Sequence, residues 1–156
     1  NALITMNFDN PSGYRYSLYR SNSLYDFSSG SVQFGELGLD HAPVYHFTTS
    51  SFQVFNPSDI AIDPYGQKHD LQVVCHFNGN SMKITNSTNG SEWEYQKSSN
   101  GSETIILNGI NTTLNGQPAS ANTDYGNLIL DTGWNNIAVT GANSIDITFS
   151  FPFIYL

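Results

Sequence analysis

Apolar and polar positions along this chain alternate with a period of two, in short bursts closed by turn residues. That is the pattern of half-buried strands. It predicts strands over Leu3–Phe8, Tyr14–Tyr19, Ser31–Phe34, Val44–Thr48, Ser51–Phe55, Ile60–Ile62, His69–Phe77, Met82–Thr85, Glu92–Gln96, Glu103–Leu107, Asn111–Leu114, Asn127–Leu130, Trp134–Val139 and Ile145–Phe153. Breaks are expected at Pro11-Ser12-Gly13, Asn56-Pro57-Ser58, Asp63-Pro64-Tyr65-Gly66, Asn78-Gly79-Asn80, Asn89-Gly90, Asn100-Gly101, Asn108-Gly109 and Asn115-Gly116. Asn-Gly suits turns that need positive φ, because Gly has no Cβ and Asn tolerates that region best among the others. Many short strands with frequent turns predict an all-β, antiparallel two-sheet β-sandwich. Its central strands are expected to be His69–Phe77, Glu103–Leu107, Trp134–Val139 and Ile145–Phe153, with Ile145, Ile147, Phe149 and Phe151 facing inward.

No segment reads as a long helix, and residues 20–43 are the least regular. The expected organisation is an irregular lead-in or connecting strands over 1–43, then one sandwich domain over 44–156. The Asn-Gly turns recur without a fixed period, which argues against a propeller or solenoid. The chain opens Asn1-Ala2 without an initiator Met, which fits an excised fragment or an expression scar.

Composition narrows the partners. The 156 residues suit one domain able to bury a core. Charged residues make up 12%, about half the usual roughly 25%, so the surface is polar but mostly neutral. A net charge of −8 with five Lys and Arg opposes binding to nucleic acid or to an anionic membrane surface. No apolar run reaches the roughly 18 residues of a membrane span. A single cysteine, Cys75, excludes an internal disulfide and reads as a buried small hydrophobe in Leu71–Phe77. His76 follows it, but neighbours on a strand point to opposite faces, so the two are poorly placed as a dyad.

Catalytic patterns are missing, and no enzymatic activity and no cofactor are expected. Glu92 and Glu94 share a strand face about 7 Å apart. Side by side they do not straddle a sugar bond as the two carboxylates of a glycosidase do. His41, His46, His69 and His76 lack zinc-site spacing, and no Gly-x-Ser-x-Gly, phosphate loop or dinucleotide fingerprint occurs. The turns at Asp63 and Asp124 carry oxygens of the kind Ca²⁺ takes, without the dense Asp spacing of a dedicated site. Sequons at Asn86, Asn89, Asn100 and Asn111 are read as chance in a chain rich in Asn, Ser and Thr.

Aromatic side chains are the remaining ligand platform. Exposed rings stack on the apolar faces of sugars while Asn and Asp bond the hydroxyls. The candidate binding residues are Trp93 with Tyr95, and Tyr125 with Asp124 and Asn127. The plainer reading packs Trp93 and Tyr95 inward and leaves Glu92 and Glu94 solvated. Trp134 is a further candidate ring, but its expected place is the core.

From about residue 44 onward a series of stretches follows in order: Phe52-Gln53-Val54-Phe55-Asn56-Pro57-Ser58, Ile62-Asp63-Pro64, Ile84-Thr85-Asn86-Ser87-Thr88-Asn89-Gly90, Glu103–Gly109, Tyr125–Leu130, and Gly133-Trp134-Asn135-Asn136-Ile137 with Thr140-Gly141 and the Ile145–Phe151 strand. The ordered set resembles the C-terminal domain of the distal tail proteins (Dit) of siphophages that infect Gram-positive bacteria. The resemblance implies a galectin-like β-sandwich projecting from a hexameric hub that joins the tail tube to the tail-associated protein and to receptor-binding parts. It implies a virion protein of the tail tip, made in the host cytoplasm and acting in assembly and host attachment. The ring-forming domain of that family is not recognised in this chain, so the fragment is expected to be monomeric. A carbohydrate-binding module for host cell-wall polysaccharide is the alternative.

Overall fold

The computed structural model describes residues 13–23, 39 and 43–156. The strands expected at Leu3–Phe8 and Ser31–Phe34 lie outside these residues. The described strands are β1 (Arg15–Arg20), β2 (His46–Phe47), β3 (Ser51–Asn56), β4 (Gln72–Asn86), β5 (Ser91–Tyr95), β6 (Ser99–Asn100), β7 (Ile105–Asn108), β8 (Asn111–Leu114), β9 (Gln117–Pro118), β10 (Gly133–Ser150) and β11 (Pro152–Tyr155). All pairings are antiparallel. The protein is the expected all-β sandwich, and its only helical pieces among the described residues are two three-residue 3-10 turns at Ser21–Ser23 and Ser120–Asn122.

Two long strands, β4 and β10, run side by side through both layers. The first half of β4 pairs with β7 and with the end of β10; its second half pairs with β5 and with the start of β10. Between the pairs Thr140↔Lys83 and Ser144↔Asn78, β10 advances four residues and β4 five. That extra residue is a bulge, and it flips the inward parity of β4. Val73, Cys75 and Phe77 face the core before it, Met82 and Ile84 after it. Both halves thereby turn an apolar face to one shared core, which includes Trp93, Tyr95, Ile105, Leu107, Ile137, Ile147 and Phe149.

One expected break, and the gap between the strands expected at Trp134–Val139 and Ile145–Phe153, are therefore corrected. Asn78-Gly79-Asn80 lies within β4, and Thr140–Asn143 lies within β10. Glycine is needed there because the strands approach closely. A Cβ on Gly79 would sit 2.9 Å from the Ala142 Cα, and one on Gly141, at φ 87°, would sit 2.8 Å from the Ser81 Oγ. Gly141→Ala is expected to destabilise the fold by about 1–3 kcal/mol, read from the urea midpoint at unchanged slope.

Asn115-Gly116 behaves as expected: φ values of 49° and 80° form the two-residue turn that pairs β8 with β9. The strands expected at Ile60–Ile62 and Asn127–Leu130 reduce to isolated bridges, Ile62↔Leu130 and Glu92↔Asn127. The expected strand Ile145–Phe153 splits at Phe151, after which β11 pairs with β1 in a separate two-stranded sheet. Ser21 anchors that sheet. Its hydroxyl donates to the Phe149 carbonyl and accepts from the Phe151 N–H, while Arg20 grips Ser150 and the Asp70 carboxylate. Residues 15–23 are thus built into the same fold as β10 and β11.

Candidate functional site

The sequence offers two aromatic platforms, and the structure removes one. Trp93 lies opposite Ile84 and Tyr95 opposite Met82, both on the inner face. Trp93 is fully buried, and Tyr95 is sealed between Trp93 and Phe77 with ring centroids 6.5 and 6.1 Å away. Strand alternation explains this: with the rings inward, Glu92 and Glu94 point out, and Lys83 pairs with Glu92 at 2.8 Å. Trp93 and Tyr95 therefore cannot meet a ligand.

The second platform, Asp124-Tyr125-Gly126-Asn127, stays at the surface. This segment runs along the free edge of β5. Asp124 N–H donates to the Glu94 carbonyl at 3.1 Å, and the Asp124 Oδ1 accepts from the backbone N–H groups of Glu94 and Gly126 at 3.0 and 2.9 Å. A Cβ on Gly126 would fall 2.3 Å from the Glu92 carbonyl oxygen, so only glycine permits this approach. The loop holds Tyr125 at φ 59° with 74% of its surface exposed, while Asn127 is half-buried in the bridge to Glu92. Asp124 thus serves loop closure with one oxygen and leaves Tyr125 a lone ring beside a carboxylate. Because the Tyr125 ring packs against so little, Tyr125→Ala is expected to change the unfolding free energy by no more than about 0.5 kcal/mol. A thermal melt checks this.

Other candidate chemistry is tied up. The Asp63 Oδ1 accepts from the N–H groups of Tyr65 and Gly66 at 3.1 and 2.8 Å, closing its own turn. Among the described residues no group of three or more His, Cys, Asp or Glu is arranged to hold a metal ion. Cys75 is fully buried, and burial pushes its thiol up, with Asp146 adding to the rise. Ellman's reagent is expected to leave Cys75 unlabelled in the native protein and to label it promptly in guanidinium; fast native labelling would contradict the packing described here. Among the sequons, Asn86 is fully buried and Asn89 bonds the Ile129 carbonyl. No described helix is long and apolar enough to cross a membrane.

Two features depart from the expected packing. Trp134, expected in the core, is 42% exposed and packs on Phe55 with ring centroids 4.9 Å apart. Its neighbour Asn135 takes the inward position instead, because there it finds a full set of partners. The Asn135 amide donates to the carbonyls of Asp131, Gly133 and Val54 at 2.8, 3.1 and 3.4 Å. Its Oδ1 accepts from Asp131 N–H and from the Asn86 amide, both at 2.8 Å. Asn86 in turn donates to the Ile129 carbonyl, and Asn56 donates to the Leu130 and Ile60 carbonyls.

Asn56, Asn86 and Asn135 are all fully buried. They bind the 129–131 segment to β3, β4 and β10 and satisfy backbone groups that no ladder reaches. The stretches 52–58, 84–90 and 133–137, far apart in sequence, thus meet in space. No protein-family model and no curated protein matches the chain.

Proposed function

We propose that this chain is a structural component of a phage tail tip, the outward, galectin-like domain of a distal tail protein that serves virion assembly and host attachment. The observation that carries the reading is the meeting of Asn56, Asn86 and Asn135 in one buried hydrogen-bond network. The sequence stretches shared with that family act here as a framework and supply no reacting group. A polar, mostly neutral surface and a buried free thiol suit a part that is made in a reducing cytoplasm and works outside it. Its partners in this reading are the tail tube, the tail-associated protein and receptor-binding proteins. In this reading the distal tail proteins build the hexameric hub from a ring-forming domain, and this domain by itself is monomeric.

Mass spectrometry of density-purified particles from the strain that carries the gene tests this. The protein is expected to co-purify with tape-measure and tail-tube proteins at roughly equal copies to other hub parts. Its recovery only in the soluble, particle-free fraction would contradict the reading. Analytical ultracentrifugation of the chain alone is expected to give a monomer.

A further inference from the structure

We propose that the outer face of β3 and β10 around Trp134 is a binding platform for a neutral glycan of hexose or deoxyhexose units. The register places Trp134 opposite Phe55 and Asn136 opposite Gln53. Trp134 and Asn136 are two residues apart on one strand, as are Phe55 and Gln53 on the other. The four side chains therefore form a rectangle of about 5 by 7 Å on one face, close to the footprint of a pyranose ring. Two aromatics fill one end and two amides the other. Phe55 braces the Trp134 ring from the side, with planes at 51°. The next row, beyond the amides, is Ser51, Ala138 and Thr85, small side chains that leave a shelf beside Gln53 and Asn136, and it ends in Glu92 on β5.

Each part suits a sugar. A half-exposed indole offers a flat apolar surface to the C–H face of a pyranose. The Gln53 amide donates to the Asn136 Oδ1 at 2.9 Å, which aligns both groups. That bond leaves Gln53 Oε1 as acceptor and Asn136 Nδ2 as donor with no protein partner among the described residues. One free acceptor and one free donor, about a ring's length from the indole, match hydroxyl recognition. The backbone beneath is fixed: Asn136 N–H donates to the Thr88 Oγ1 at 2.9 Å, and its carbonyl accepts from Ser87 N–H at 2.9 Å. A platform held in this way loses little freedom on binding.

The choice of a neutral glycan follows from charge and shape. The rectangle holds no ionisable side chain, and Glu92, at the far end of the next row, is paired with Lys83. A net charge of −8 disfavours polyanionic wall polymers. A protein interface would present several large apolar anchors around a dry centre. On β3, β4, β5 and β10, Trp134 is the only large apolar side chain that is exposed.

The test is isothermal titration calorimetry of the chain with gluco-, galacto- and rhamno-configured neutral hexasaccharides and with wall teichoic acid. Acrylamide quenching of tryptophan fluorescence runs in parallel. Trp93 is buried, so quenching reports Trp134. At least one neutral hexasaccharide is expected to bind and to reduce quenching about twofold or more. Trp134→Ala is expected to abolish binding, and Gln53→Ala and Asn136→Ala each to weaken it about tenfold, as for a site carried by one aromatic anchor and its polar neighbours. Trp134→Tyr is expected to restore part of the affinity and excludes a folding defect as the cause. Binding by no member of the panel, binding to teichoic acid alone, or full affinity in Trp134→Ala would each overturn the proposal. Incorporation of the protein into particles is expected to be unchanged by Trp134→Ala, which separates this site from the structural role proposed above.

Discussion

Asn135→Ala is expected to lower the unfolding free energy by about 3–5 kcal/mol, which at this chain length corresponds to a fall of roughly 10 °C in the melting temperature. Alanine removes an acceptor from Asp131 N–H and from one Asn86 amide hydrogen, and a donor from three carbonyls. Each buried group left without a partner costs about 1–3 kcal/mol. The side chain is fully buried, so bulk water does not replace it freely. Asn136→Ala, one residue along and exposed, is expected to cost no more than about 0.5 kcal/mol. The contrast between adjacent asparagines is the sharp part of the prediction. A double-mutant cycle pairing Asn135→Ala with Asn86→Ala is expected to give a coupling of about 1–3 kcal/mol, since their amides bond directly. Additive effects would mean that the network does not act as a unit.

Trp93→Ala is expected to cost about 3–5 kcal/mol, the range for removing a large aromatic from a well-packed core. Trp93 is fully buried on β5 between Ile84 and Tyr95. Its indole Nε1 finds no hydrogen-bond partner, which sets up a second comparison. Trp93→Phe also removes volume, but it relieves an unsatisfied buried N–H, so its cost is expected to be smaller, about 1–2 kcal/mol. Guanidinium titrations of the two variants at equal slope measure the difference. A loss in Trp93→Phe above about 3 kcal/mol would show that relief of the N–H does not offset the lost volume. A typical domain holds only about 5–15 kcal/mol of stability, so either alanine variant removes a large part of it.

Local patterns in the sequence read correctly where a short-range cause decides the structure. Asn111–Leu114 and the Asn115-Gly116 turn follow from alternation and from the positive φ that Gly accepts and Asn tolerates. The inward set Ile147, Phe149 and Phe151 follows from period two. The break expected at Gly79, and the gap left between the strands expected at Trp134–Val139 and Ile145–Phe153, fail because glycine also serves close strand approach at a bulge, and the dipeptide Asn78-Gly79 does not distinguish the two uses. Trp134 fails for a long-range reason. Alternation correctly opposes Trp134 to Asn135, but hydrophobicity alone picks the wrong side, because the partners of Asn135 come from β3, β4 and the loop before β10. The short segment Asn127–Leu130 looks like a strand by composition and instead spends its carbonyls on the amides of Asn56, Asn86 and Asn89. Of the proposed ligand residues, Tyr125 and Asp124 are exposed and Asn127 is half-buried in its bridge to Glu92. Trp93 and Tyr95 are core, as the solvated Glu92–Glu94 face required.

A structural part at the distal end of a tail has one defining property, its position in the particle. Immunogold electron microscopy of purified particles, with antibody raised against this chain, measures that position directly. Gold confined to the tail tip, at the end opposite the capsid, is the expected result. Gold along the shaft or on the capsid, or intact particles with no label and no trace of the protein, would contradict it.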